Sequence, residues 1–316
     1  MIDFIKNLRD KKKSIKVEGI GKEENWEWQG HRITYSVLGN GLPLLAVHGF
    51  NASAGAFELR NNLEPLATKY RVYAPDLPGF GRSERKPISY TAELYIQFFI
   101  DFALYITQLE QQAPAVFANS LAAAHIIGAV ARRPEAFGPL LLSCPTGLER
   151  LMDPPGKKAL LVNRVLRGPI GAVVFRLLTS RSSTRLFLGR DGYYDPNYVD
   201  EALVERYYQS ARQPNARFAP VAFITFGLNH SVKEEWPNIK QPVLLVWGRD
   251  ANLTPLSNAA AFLKERPDTQ LHIIDHVRLS LYDERAEEFN ALALDWFGRN
   301  YQQKNRPTLV SSGTGG

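Results

Sequence analysis

Two periodicities divide the chain. Short runs that are apolar throughout, or that alternate apolar with polar positions, recur at residues 26–28, 31–37, 42–47, 71–74, 114–117 and 140–143, and return at 242–247 and 270–274. Their lengths predict β-strands, with the wholly apolar runs buried on both faces. Between them, apolar residues spaced three or four apart at 56–67, 92–109, 122–132 and 285–297 predict amphipathic helices. Gly39-Asn40-Gly41 marks a turn in an opening meander, and Arg133-Pro134 ends the third helix. From about 145 to 241 the rhythm becomes helical and basic, with no clear strand.

Strands alternating with helices predict an α/β fold, a doubly wound, mostly parallel sheet with an inserted helical lid. The expected divisions are a basic amphipathic amino-terminal segment over 1–23, a core made of 24–147 and 242–299, the lid over 148–241 and a disordered tail over 300–316. An insertion between two late strands lies over the carboxyl ends of the sheet, where ligands bind in such folds.

Composition narrows the class. The chain has 316 residues, 45% of them hydrophobic, enough to bury a sizeable core. It lacks an apolar run of about 18 residues and an unbroken apolar segment at the start, so neither a membrane-spanning helix nor a secretory signal is expected. One cysteine, Cys144, excludes an internal disulfide and suits a reducing cytoplasm. The net charge of +6 is concentrated: residues 149–190 hold nine Lys or Arg against two acidic residues, and residues 1–16 hold six against two. Neither region carries a nucleic-acid-binding motif, and both interleave cations with large apolar residues. That pattern suits solvated helix faces or peripheral contact with an anionic membrane.

The candidate chemistry centres on Ala118-Asn119-Ser120-Leu121-Ala122. A strand, a sharp turn and a helix with serine at the apex form a nucleophile elbow, which normally reads G-x-S-x-G because only small residues fit beside the strained serine. Here both small positions are alanine. No H-E-x-x-H, cysteine pair or P-loop is present, and Gly79-Phe80-Gly81 is too short for a dinucleotide fingerprint, so no metal or cofactor is expected. The tyrosines at 193, 194, 198, 207 and 208 suit lid packing, or the lining of an apolar pocket.

In this order and spacing, His48-Gly49-Phe50, the Asp76–Ser83 stretch, the Ser120 elbow, Trp247-Gly248 and Asp283-Glu284-Arg285-Ala286-Glu287-Glu288-Phe289 resemble the α/β-hydrolase superfamily. Within it, the stretch from Trp26 to Ile33 is similar to the branch of pheophytinases and chlorophyll dephytylases, which implies a bulky apolar ester or pigment as ligand. The resemblance implies Ser120 as nucleophile and the backbone N–H groups of Phe50 and Leu121 as oxyanion donors.

The other two members of the triad do not fall in register. The family's acid position corresponds to Ala251, with Asp250 one residue early, and its histidine position corresponds to Leu279, with His276 three residues upstream. Without a base, a serine hydroxyl is a poor nucleophile. The expectation is therefore a family member with a degenerate triad, which binds an apolar or ester-like ligand or hydrolyses it slowly. Two alternatives stay open: an active ester or amide hydrolase in which displaced Asp250 and His276 reach Ser120, and a non-catalytic module acting at membranes or on proteins.

Overall fold

The apolar runs form eight strands in one sheet of a computed structural model, which describes residues 19–302. The expected basic segment up to residue 18 and the tail from 303 lie outside the described residues. The strands are β1 (Lys22–Trp28), β2 (His31–Leu38), β3 (Leu42–Val47), β4 (Tyr70–Pro75), β5 (Ala115–Asn119), β6 (Leu140–Ser143), β7 (Val243–Gly248) and β8 (Gln270–Ile274). Their order across the sheet is β1-β2-β4-β3-β5-β6-β7-β8. Only β2 runs antiparallel to its neighbours; from β4 to β8 every pairing is parallel. The carboxyl ends of the parallel strands therefore lie on one edge, and the chemically interesting loops leave from that edge.

The helices are α1 (Leu63–Ala67), α2 (Ala92–Glu110), α3 (Ser120–Arg132), α4 (Lys157–Arg167), α5 (Pro169–Leu178), α6 (Arg181–Phe187), α7 (Glu201–Ala211), α8 (Phe218–Ile224), α9 (Ala259–Glu265), α10 (Leu281–Glu284) and α11 (Ala286–Asn300). Strands β3, β5 and β6 are buried almost end to end, as parallel strands covered by helices on both faces must be. Helix α2 buries eight apolar residues, including Phe98, Phe99 and Phe102, and starts on the Thr91 side chain, which accepts the N–H of Leu94.

One expected helix is split. Residues 56–67 form a 3₁₀ turn, Ala56–Leu59, and then the short α1. The break has a tertiary cause, since the Asn62 amide at the junction donates to Tyr282 O (2.6 Å) and to Asn290 Oδ1 (2.9 Å). Pro65 falls in the first turn of α1, where its missing N–H costs nothing.

The insertion between β6 and β7 contains helices and turns and, among the described residues, no strand. Its two halves differ. The stretch Leu188–Gly192 and the residues after it are tied to the core, whereas α4 buries none of its residues. No helix among the described residues is long and apolar enough to cross a membrane.

Candidate active site

Strand β5 ends at Asn119, and α3 begins at the next residue. That junction forces Ser120 to φ +53°, a left-handed conformation that is uncommon for a residue with a side chain. Ala118 and Ala122 are fully buried on either side, so the alanines fill the space that glycine leaves open in the usual elbow. Leu121 is the second residue of α3, and its N–H has no acceptor within the helix.

The loop after β3 is held against this elbow. The buried His48 ring donates from Nδ1 to Gly49 O (2.7 Å) and accepts the Leu77 N–H at Nε2 (3.0 Å). Both ring nitrogens are thus occupied by backbone, and burial holds the imidazole below its ordinary pKa, so it is neutral. A Cβ at Gly49 would lie 2.9 Å from Asn119 Nδ2, so glycine is what lets the loop approach the elbow this closely. Beside it, Phe50 packs edge-on against Tyr95, with ring centroids 4.7 Å apart.

Ser120 opens into a cavity of about 200 Å³ under the lid. Phe50 and Asn119 form part of its floor, and the lid contributes Phe187, Leu188, Tyr207 and Phe223. Leu279, Ser280 and Tyr282 complete the wall from the segment after β8. The lining is mostly apolar, with a few convergent polar groups, as in small-molecule sites.

Six histidines occur in the sequence, and all six lie among the described residues. None lines the cavity. His48 is committed to backbone as above. His125 bonds Leu228 O through Nε2 (2.8 Å), and burial pushes it down to about 3. His230 sits 3.2 Å from Glu235, His272 is 3.8 Å from Glu288, and His31 lies on β2 beside Trp28. His276 is exposed, has φ +53° and meets Tyr194 edge-on. Among the described residues no group hydrogen-bonds the Ser120 hydroxyl.

The structure thus brings Ser120, Phe50 and Leu279 to one cavity and leaves Asp250 and His276 outside its lining. The Asp250 N–H is bonded to Val277 O (3.1 Å), and Ala251 is buried beside it.

The segment that follows β8 is occupied with holding the lid. The Arg278 guanidinium donates to Gly189 O (2.8 Å), Arg190 O (2.7 Å) and Tyr193 O (2.9 Å), and the Ser280 N–H donates to Gly192 O (2.9 Å). Asp283 is buried and accepts from Tyr193 Oη (2.5 Å) and Asn61 (2.9 Å), with Arg60 2.6 Å away. Glu284 accepts the N–H groups of Tyr194 (2.8 Å) and Asp195 (2.7 Å).

Glu58 is the polar residue that the sequence hid. It lies on the 3₁₀ turn after β3, buried, with its carboxylate accepting from Asn51 Nδ2 (2.6 Å), and it lines the same cavity as Ser120. Desolvation raises its pKa to about 7, outweighing that hydrogen bond. Tyr282 is a second such residue, since its hydroxyl accepts from Asn119 Nδ2 (2.9 Å), next to the serine. No His, Cys, Asp or Glu cluster among the described residues is placed to hold a metal ion.

Residues 44–292 match the Alpha/beta hydrolase family. The chain is 25% identical over 278 residues to the 2-hydroxy-6-oxo-6-phenylhexa-2,4-dienoate hydrolase of Burkholderia cepacia, covering 84% of this chain and 91% of that one. It is 26% identical over 276 residues to the 2-hydroxy-6-oxo-6-(2'-aminophenyl)hexa-2,4-dienoic acid hydrolase of Metapseudomonas resinovorans, covering 85% and 89%. The crystal structure of a serine hydrolase involved in carbazole degradation superposes with a TM-score of 0.72 at 24% identity, covering 89% of this chain and all of that one. These named relatives are not pheophytinases, so the branch expected from residues 26–33 gives way to the wider family. With the elbow, the His-Gly loop and the mostly parallel sheet in place over the matched span, the chain belongs to the alpha/beta hydrolase family.

Proposed function

We propose that the protein is a hydrolase-family member with a degenerate triad, which holds an apolar or ester-like ligand against Ser120 and turns it over slowly at most. The observation that carries this reading is the full imidazole inventory: six histidines, none in the lining of the cavity that contains Ser120, and Leu279 in that lining instead. Acyl transfer needs a base within about 3 Å of the serine proton. An aliphatic side chain cannot take that proton. The backbone donors of Phe50 and Leu121 remain suited to a carbonyl oxygen, so binding outlasts chemistry, and a residual thousandfold or so over water is the ceiling expected from the oxyanion site and binding. The ligand is apolar or ester-like because the lining is, and it is small, as the substrates named for the hydrolase relatives are. We further infer that the protein works at an anionic membrane surface, on the strength of the basic excess over residues 149–190.

A chain-length series of p-nitrophenyl esters tests the reading. Turnover close to background, together with saturable displacement of an apolar fluorophore by the unhydrolysed esters, is the expected outcome. Turnover at the rate of an ordinary serine esterase, abolished in Ser120→Ala, contradicts it.

A further inference from the structure

Helices α4 to α6 are built inside out. α4 rests on the body through polar groups: Asn163 Nδ2 donates to Thr225 Oγ1 (2.7 Å), and Arg167 donates to Ser89 Oγ (2.9 Å) and Pro87 O (3.1 Å). Its apolar side chains, Leu161 and Val165 among them, face solvent, and none of its residues is buried. α5 continues the surface with Ile170, Val173 and Leu177, and α6 ends it with Leu186. Ten of the sixteen large apolar side chains exposed among the described residues fall between positions 160 and 187, at 36% to 68% exposure. A helix folded only for its own domain turns such residues inward.

Charge identifies what covers this face. Residues 157–187 contain seven Lys or Arg and no Asp or Glu. Arg181 and Arg185 are matched by Glu205 and Glu201, whereas Lys157, Lys158, Arg164 and Arg176 have no carboxylate partner among the described residues. A second copy meeting the same face brings like charge to like, and so does the basic stretch of residues 1–16. Exposed apolar side chains interleaved with cations that have no carboxylate partner match an anionic lipid surface.

The face is continuous with the cavity. Phe187 belongs to both, being partly exposed at the end of α6 and part of the cavity lining, and α4 leans on α8, whose Phe223 lines the cavity too. We propose that α4–α6 dock on an anionic membrane and that the ligand reaching Ser120 is an amphiphile partitioned in that membrane. The choice of ligand class rests on the binding reading above; the docking surface does not.

Co-sedimentation of the full chain with vesicles tests it. The protein binds vesicles of 30% phosphatidylglycerol in phosphatidylcholine, and binding falls at least tenfold on pure phosphatidylcholine and in 0.5 M NaCl. Ile170→Ser with Leu177→Ser also lowers it at least tenfold, whereas Leu109→Ser, an exposed leucine on α2, leaves it unchanged. Both variants remove apolar surface from solvent, so folding is preserved, and near-UV circular dichroism checks this. A radiolabelled octanoate ester carried in the vesicles transfers to the wild type and not to the double variant, while both take up a water-soluble acetate ester equally. Ser120→Ala binds vesicles as the wild type does, so rapid ester turnover by the wild type would sink the binding reading and leave docking intact. Docking is overturned if the double variant sediments like the wild type, or if soluble polyglutamate is bound as tightly as the vesicles and equally by both proteins.

Discussion

Two segments face each other across one cavity and have been treated differently. On the β5–α3 side, Ser120 has a strained backbone and the His48–Phe50 loop presses against it, so the elements set by backbone geometry are in place. On the β8 side, the stretch from Val277 to Arg285 carries no imidazole into the cavity and spends its polar groups on the lid. The difference separates what a fold supplies from what single side chains supply. Backbone N–H donors at a helix start persist through most substitutions, whereas a proton acceptor is lost in one.

The comparison is broken most forcefully at Asp283. Asp283→Ala leaves the Arg60 guanidinium partly buried beside no carboxylate and frees Tyr193, so urea unfolding should show a loss of about 3–5 kcal/mol. Ser120→Ala, by contrast, removes no hydrogen bond and should stay within about 0.5 kcal/mol.

Supplying the acid and base that the proposed reading lacks sharpens the contrast next. Ala251→Asp combined with Leu279→His should raise p-nitrophenyl butyrate hydrolysis by roughly a hundredfold, the scale of a positioned base. Either change alone should do little. An unchanged rate in the double variant would mean that the elbow itself is not competent.

Glu58 gives a smaller effect with a defined pH signature. Its folded pKa, about 7, lies above the ordinary carboxylate value, so its contribution to stability is fully present below about pH 4.5 and is lost as pH rises through 7. Glu58→Gln should therefore gain stability over the wild type between those limits and hold a plateau of about 3 kcal/mol above pH 7, by thermal melts across the range. Smallest of all, Ser120→Gly should stabilise the fold by about 1 kcal/mol, because glycine adopts φ +53° without strain.

Much of this architecture was legible in the sequence because it is written locally. The strands at 42–47, 140–143 and 270–274 follow from apolar runs, and the elbow follows from small residues around Ser120. What stayed hidden depends on partners far along the chain. Glu58 reads as a solvated helix carboxylate until the lid residue Tyr207 and the His-Gly loop close over it, and the break at Asn62 answers to Tyr282 and Asn290, more than 200 residues away. Tyr193 is one of a run of tyrosines in sequence; only the fold places its hydroxyl on Asp283. The register that put Leu279 in the histidine position was readable, but not that its neighbours latch the lid.

On the reading proposed above, no side chain among the described residues takes the proton from Ser120. The rate of fluorophosphonate labelling at pH 7.5, followed by intact mass, tests this in the wild type, Ser120→Ala, His276→Ala, Asp250→Asn and Glu58→Gln, the last because Glu58 lines the same cavity. Slow labelling confined to Ser120 is expected, with the same rate in the His276, Asp250 and Glu58 variants as in the wild type. Rapid labelling that collapses in His276→Ala would contradict it.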